Sequence, residues 1–198
     1  DSDFGFDQTI VGGEMQLSLR RFAFAGEHFI TYGASIDQTE TSRPRDRTQT
    51  NLTTGVSTKT VSGETFPNKN FPDTLTTQTA LFIQDVAQWG ALRLIPALRF
   101  DLYQLHVRPD AMFAASNTGS FTIDDLTATA LSPKFGLTYD LNEYFRIFGQ
   151  YAHGFRAPPY DNANFGFRNP VFGYEILPNG NLRPETVDGF EAGVRGRD

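Results

Sequence analysis

The chain contains no cysteine, which removes disulfide staples, thiolate metal sites and cysteine nucleophiles at once. It has no run of eighteen apolar residues, so no transmembrane helix can be drawn in it. The first residues, Asp1-Ser-Asp-Phe-Gly5, have neither the basic start nor the apolar centre of a signal peptide. Basic charge is also short, with a net charge of −6 and an isoelectric point near 5.0. Nucleic acid is therefore not an expected partner, because phosphate binders present a basic face. The linear signatures of enzymes are missing too: there is no Gly-x-Ser-x-Gly elbow, His-Glu-x-x-His pair, Walker loop or Gly-x-Gly-x-x-Gly turn. The chain reads as a non-enzyme, although a Ser/His/Asp set drawn from separate strands leaves no linear trace.

What is present favours strands and turns. The 198 residues carry 19 Phe, 7 Tyr and 18 Gly, with abundant Thr in the first half and no helix-forming Ala-Leu-Glu-Lys blocks. Period-2 runs separated by turn residues predict seven strands, at 8–24, 27–43, 73–89, 91–107, 126–139, 143–153 and 185–196. Their connections alternate. Those near Ala25-Gly-Glu27, at Trp89-Gly90 and at Asp140-Leu-Asn142 are tight, whereas 44–72, 108–125 and 154–184 are long and polar. Membrane β-barrels have short turns at one end and long loops at the other. Several of the runs, at 12–17 residues, exceed both the globular mode of about 5–6 and the 9–11 or so that a tilted membrane strand requires. A mean hydropathy of −0.36 agrees, since alternating strands average to hydrophilic.

The run 91–107 assigns the faces. Leu92, Leu94, Leu98, Phe100 and Leu102 share one parity, while Arg93, Arg99 and Asp101 share the other. An Arg on the lipid face costs roughly 2–4 kcal/mol at the midplane, so the even residues are expected to meet lipid and the odd ones the lumen. Phe135, Leu137, Tyr139 and Leu141 oppose Lys134, Thr138 and Asp140 in the same way, as do Phe190, Ala192 and Val194 against Glu191 and Arg195. Trp89, Tyr103, Tyr139, Tyr144 and Tyr151 fall near strand ends, where interfacial aromatic girdles lie. The fold class is all-β, with a β-sandwich packed by the same rings as the alternative. Seven strands cannot close a wide barrel, and an open edge in lipid leaves backbone groups unpaired, so the chain is expected to be part of a longer barrel.

Two boxes flank the last long connection: Tyr151-Ala-His-Gly-Phe-Arg-Ala-Pro-Pro-Tyr-Asp161 and Asn179-Gly-Asn-Leu-Arg-Pro-Glu185. With Leu81-Phe-Ile-Gln-Asp85, Pro96-Ala-Leu-Arg-Phe-Asp101 and Ser132-Pro-Lys-Phe-Gly136, they make nearly the whole chain resemble the barrel of TonB-dependent outer-membrane receptors, in the haem and haemoglobin receptor branch. That resemblance implies a partial barrel domain over residues 1–198, belonging to a transmembrane barrel of about 22 antiparallel strands whose plug lies outside these residues. It also implies the bacterial outer membrane, with lipid around the barrel, and uptake driven through the TonB system. The transported ligand would be haem, free or from a haemoprotein such as haemoglobin, with no permanently bound cofactor and no resident metal. The family's Phe-Arg-Ala-Pro box falls on Phe155, Arg156, Ala157 and Pro158; its Asn-Pro-Asn-Leu box falls on Asn179, Asn181 and Leu182, with Gly180 in place of Pro. Some haem receptors carry a histidine between the boxes, and none stands between Pro159 and Asn179. A ferric siderophore or other metal complex is therefore the alternative ligand, and a passive porin or adhesin barrel the alternative function.

Haem iron needs an axial donor. His153, at the entry to the boxed loop, is one candidate; Tyr160 and Tyr174 are phenolate candidates. His28, on the short-turn side, and His106, at a strand end, read as structural. Arg156 can pair with a haem propionate or with an acidic group on the wall. Phe165, Phe167 and Phe172 form either an apolar platform or the packing of the loop itself.

Overall fold

The computed structural model describes residues 1–117, 119, 121–169 and 171–196. Seven long strands form one antiparallel sheet: β1 (Asp7–Ala23), β2 (Gly26–Ser42), β3 (Asp73–Trp89), β4 (Leu92–Arg108), β5 (Leu126–Asp140), β6 (Phe145–Arg156) and β7 (Glu185–Gly196). Each pairs with its sequence neighbour, so the spatial order is β7-β6-β5-β4-β3-β2-β1. The tight turns gather at one end of this meander and the long connections at the other. The long connections hold two short helices, α1 (Ala111–Ser116) and α2 (Tyr160–Asn164), and several two-stranded pairs.

The register places the predicted faces correctly, with one correction: Tyr103, expected in an interfacial girdle, shares the face of Arg99 and Asp101 and is buried with Leu105, Leu126 and Ala128, because the third long connection folds over that end of the sheet. Leu98 pairs with Ile83 on one side and Pro133 on the other, and Phe100 with Leu81 and Leu131. Arg99 pairs with Phe82 and Ser132, and Asp101 with Ala80 and Ala130, on the opposite face. Leu98 is 41% exposed, Leu81 57% and Phe190 79%; among the described residues no second sheet of more than two strands covers them. A sandwich would bury that face, so the sandwich alternative is set aside. Polar side chains on the other face satisfy one another: Arg99 donates to Asp101 at 2.9 Å, Arg146 to Asp140, and Gln150 to Glu191 at 2.6 Å.

Two tight turns use the left-handed backbone that hairpins require. Phe24 and Ala25 both have positive φ, and the Trp89 indole donates to the Phe24 carbonyl at 2.9 Å. A Cβ on Gly26 would come within 2.4 Å of that indole nitrogen, which explains glycine there.

The buried residues lie mostly at the long-connection end. Tyr103 and Leu105 of β4 meet Leu126 and Ala128 of β5 in one cluster, and Phe155, Ala157 and Tyr160 pack against it. A proline makes that packing accessible. The β5–β6 ladder ends at Lys134↔Ala152, one step before Pro133, which has no N–H to continue it. Beyond that point β6 stays with β7, through Gly154↔Val187 to Arg156↔Glu185, and parts from β5. The expected end of this strand at residue 153 is thus corrected to Arg156, because pairing carries the strand through Gly154 and the break comes at Pro158-Pro159.

In the full-length protein, Leu98→Arg is expected to lower the stability of the membrane-inserted barrel by roughly 2–4 kcal/mol, and Gln84→Arg on the polar face by far less. Denaturant titration in lipid vesicles measures both, and equal costs would overturn the face assignment.

Candidate functional site

The long connections converge on an aromatic and guanidinium cluster. Arg43 follows β2 directly, Phe71 precedes β3 by two residues, and Phe6 precedes β1 by one, so the sheet register itself brings them to one end. The Arg43 guanidinium lies 4.5 Å from the Phe71 ring centroid and 5.7 Å from that of Phe6. Phe71 stacks on Phe165 at 4.7 Å and meets Tyr160 edge-on at 6.3 Å. Phe165 continues to Phe167, and Phe167 to Tyr174. Between these groups opens a cleft of about 370 Å³, lined by Phe4, Phe6, Arg43, Arg45, Phe71 and Phe165 among others. Arg45 is held in bidentate fashion by Glu64 at 2.9 and 3.2 Å. Arg43 is held more loosely, 3.4 Å from the Tyr160 hydroxyl and 3.6 Å from Asp161. Aromatic faces beside a cation with spare donors suit a flat, anionic guest.

Three ties fix the walls. Buried Lys69 donates to Asp73 at 2.7 Å and to Asp110 at 2.7 Å, joining the first long connection to the second. Asp110 also caps α1 by accepting from the Phe113 N–H at 2.8 Å. Burial disfavours the Lys69 ammonium, yet the hydrogen bonds of Asp110 and Asp73 outweigh it and hold its pKa above the ordinary lysine value. Burial likewise opposes the Asp110 carboxylate, but Lys69 and the Phe113 N–H hold it below the ordinary range. The third tie is Asn164, 1% exposed, which accepts from the Asp124 N–H at 3.0 Å and donates to the Asp124 carbonyl at 3.1 Å. It joins the second connection to the third.

Within the boxes, Phe155 and Ala157 lie against the Tyr103–Leu105–Leu126–Ala128 cluster, and Pro158 is buried. Arg156 is exposed, 3.6 Å from Glu185. The Asn179 N–H donates to the Ala163 carbonyl at 3.0 Å, and its side chain accepts from the Asn181 N–H at 3.1 Å. Asn181 is exposed and Leu182 half-buried. A Cβ at Gly180 would stand 3.1 Å from an Asp124 carboxylate oxygen, a close approach at the position where the family box has proline.

The three axial candidates are not brought together. His153 pairs with Asp188 across β6–β7 at 2.9 Å, on the parity of Tyr151 and Phe190, whose rings meet at a tilt. Tyr174 is half exposed in a small hairpin against Phe167. Tyr160 opens α2, packs on the buried cluster and reaches Arg43; burial raises its pKa, with Arg43 acting against the rise. Phe172 lies exposed. Sequence reasoning missed Phe4, Phe6, Arg43, Arg45, Phe71 and Lys69. Their one signal was position: Arg43 and Phe71 flank strand ends at the long-connection side.

The model of the family described as TonB dependent receptor-like, beta-barrel, matches residues 1–198. Hemoglobin and hemoglobin-haptoglobin-binding protein A of Haemophilus influenzae is 33% identical over 92 residues, 44% of this chain and 8% of that protein. A probable hemoglobin and hemoglobin-haptoglobin-binding protein 4 from the same species is 41% identical over 56 residues, 28% of this chain and 5% of that protein. The chain thus spans a small part of the curated relatives it matches. Among solved structures, the ferric citrate transporter FecA in its unliganded form superposes with a TM-score of 0.67 at 16% identity, covering 98% of this chain and 26% of that one. The Serratia marcescens hemophore receptor HasR, a double mutant in complex with its hemophore HasA and heme, gives 0.68 at 16% identity, covering 96% and 30%. At that identity the two structures speak for the fold.

Lys69→Met is expected to leave Asp73 and Asp110 without their shared donor and to loosen α1 by roughly 1–3 kcal/mol. Faster hydrogen exchange of the α1 amides in the full-length protein, with β3 and β4 unchanged, is the readout. The Asp110 contribution is complete above about pH 4 and fades as pH falls through its lowered value; that of Lys69 is complete below about pH 10 and fades as pH rises through its raised one. Wild-type protection of α1 should accordingly be level between about pH 5 and 9.

Proposed function

Because the chain belongs to the TonB dependent receptor-like β-barrel family, we propose that the receptor containing these strands imports haem across the bacterial outer membrane, taking it free or from a haemoprotein. The observation that carries this reading is the cleft at the long-connection end, where Phe71 and Phe165 stack beside the Arg43 guanidinium. A porphyrin offers the matching chemistry: a wide apolar plane with two carboxylates at one edge. Stacked rings contribute about 0.5–1.5 kcal/mol beyond burial, and a guanidinium pairs well with a carboxylate. The haemoglobin-binding relatives from Haemophilus influenzae support the same ligand class.

In this reading the boxes frame the cleft. Phe155 and Ala157 root the third connection on the buried cluster, with Pro158 buried beside them in sequence, while Asn179, Asn181 and Leu182 return it to β7 beside α2. Arg156, exposed near the rim, is an additional partner for an acidic group of the ligand. Of the axial candidates, His153 and Tyr174 stay in play beside Tyr160. Lipid surrounds the apolar face, and the TonB system supplies the energy through parts of the receptor outside these residues. The matched proteins are haemoglobin-binding proteins, a transporter and a hemophore receptor, and no catalytic step is assigned.

One observation favours a second reading. No histidine lies in residues 157–184, and a cleft with an available guanidinium also suits a ferric chelate rich in carboxylates. Cells carrying only the full-length receptor should grow on haem iron and lose that growth when TonB is deleted; growth on a ferric siderophore or citrate but not on haem would select the second reading, and TonB-independent uptake would overturn both. Arg43→Ala should weaken haem binding by about ten-fold, the loss of one charge-assisted contact of roughly 1.5 kcal/mol, measured by titration of the detergent-solubilised receptor.

A further inference from the structure

A second concavity lies at the opposite end of the sheet from the cleft, near the tight turns. Register fixes its place. Arg20 pairs with Phe29 across β1–β2, Phe29 with Val86 and Glu27 with Gln88 across β2–β3, and Gln88 with Arg93 across β3–β4. Strict alternation puts all of these side chains on the face of Arg99 and Asp101, the one expected to meet the lumen. They line a pocket of about 140 Å³, room for a carboxylate and the chain that carries it. His28, of the opposite parity, completes the lining, with its ring nitrogens turned to Asp85 at 2.6 Å and the Ala23 carbonyl at 3.2 Å.

The cations of this pocket are unsatisfied. On the same face Arg99 and Arg146 are each held by an aspartate. Arg20 has no ion pair among the described residues, and Glu27, the one acid in the lining, pairs with neither arginine. Arg93 donates from one terminal nitrogen to the Gln88 side-chain oxygen at 2.9 Å, while its Nε–H is buried without an acceptor among the described residues. A buried donor left unpaired is a standing cost. The Gln88 amide is itself held only by a 3.4 Å contact to the Gly90 carbonyl, so it can turn aside and release the second arm of the Arg93 fork. That fork is the geometry that receives a carboxylate in bidentate fashion. Phe29, 43% exposed, lies beside it as an apolar face.

Resting on the haem reading above, we propose that this pocket is a second station for the transported ligand on its way out of the barrel. Short turns mark the periplasmic end of a membrane barrel and long loops the outer end. Having left the cleft, the cargo presents a carboxylate to Arg93 and Arg20, with its apolar edge against Phe29 and Val86. Both ends of the wall then offer one chemistry, a guanidinium beside a phenyl ring: Arg43 with Phe71 and Phe6 at the entry, Arg93 and Arg20 with Phe29 at the exit. Glu27 offsets part of the positive charge at the second station. Passage requires binding that is favourable enough to draw the ligand in and weak enough to let it go, and the acid serves the second half of that requirement.

The test uses the full-length receptor in cells and separates binding from passage. Without TonB, haem should bind at the cell surface with the same Kd in the wild type and in the Arg20→Gln/Arg93→Gln double variant. With TonB, the maximal rate of haem uptake by the double variant should fall about ten-fold at unchanged half-saturation, the loss of a bidentate charge pair. Arg20→Lys/Arg93→Lys, which keeps the charges without the fork, should recover part of that loss. The dimethyl ester of haem has no free carboxylate, so at saturation it should enter through wild type and double variant at equal rates. Should the double variant lose surface binding through misfolding, Arg20→Gln alone, at an exposed position, carries the same comparison with a fall of about three-fold. Haem uptake at the wild-type rate in the variants would sink the inference. Equal slowing of haem and ester would also overturn it, because the arginines would then hold a carboxylate of the receptor's own chain. Either result leaves the haem reading standing, whereas absence of saturable haem binding by the wild type would overturn both.

Discussion

Everything in this structure depends on one requirement: backbone N–H and C=O groups in apolar surroundings must find partners in neighbouring strands. An unbroken series of antiparallel ladders from β1 to β7 meets it, each strand pairing with the next in sequence. Register then does the rest. Because side chains alternate strictly, a slip of one residue would carry Arg99 and Asp101 to the apolar face and Leu98 and Phe100 to the polar one. The charged pairs on the polar face, such as Arg99 with Asp101 and Arg146 with Asp140, therefore act against wrong registers more than they add stability, since partly exposed pairs contribute little on their own.

The same requirement explains why the exceptions matter. Pro96 and Pro133 stand inside interior strands, where a missing N–H is ordinarily avoided. At Pro96 the β3–β4 ladder skips from Leu94↔Ala87 to Ala97↔Gln84 and resumes in the same register, so only local pairing is lost. At Pro133 the β5–β6 ladder does not resume. The difference lies in what replaces it: above Pro133, β6 keeps β7 as its partner, and Phe155, Ala157 and Tyr160 gain the buried Leu105–Leu126 cluster. A proline that would weaken a plain sheet here opens a seam in which the third long connection takes root.

The sheet was legible in the sequence because its information is local and periodic. Six of the seven predicted strands lie within two residues of the observed bounds, and the seventh, β6, ran on to Arg156 because pairing with β7 continues through Gly154. The contents of the long connections were far less legible. Arg43 and Tyr160 are 117 positions apart, and Lys69 and Asp110 are 41 apart; no period or motif links such pairs. Phe4 and Phe6 drew no role from the sequence, yet the pairing of Ser2–Phe4 with Arg45–Arg47 puts Phe4 beside Arg45 and Phe6 beside Arg43. Box residues could be found by resemblance, while the cleft they frame required the three connections to be assembled.

That assembly is graded in strength, and the gradation bears on how a ligand could be received. Lys69 and Asn164 are buried and make short, multiple hydrogen bonds across connections; groups of this kind are costly to unpair. Arg45 is similarly committed, to Glu64. Arg43 alone among these cations combines two aromatic neighbours with long contacts of 3.4 and 3.6 Å and a side chain about a third exposed. Solvent screening makes its pairing with Asp161 weak, so exchanging that contact for a ligand carboxylate costs little. The aromatic faces stay where the buried ties hold them. A rigid apolar wall with one readily redirected cation keeps the ordering cost of binding small, and that saving appears directly as affinity.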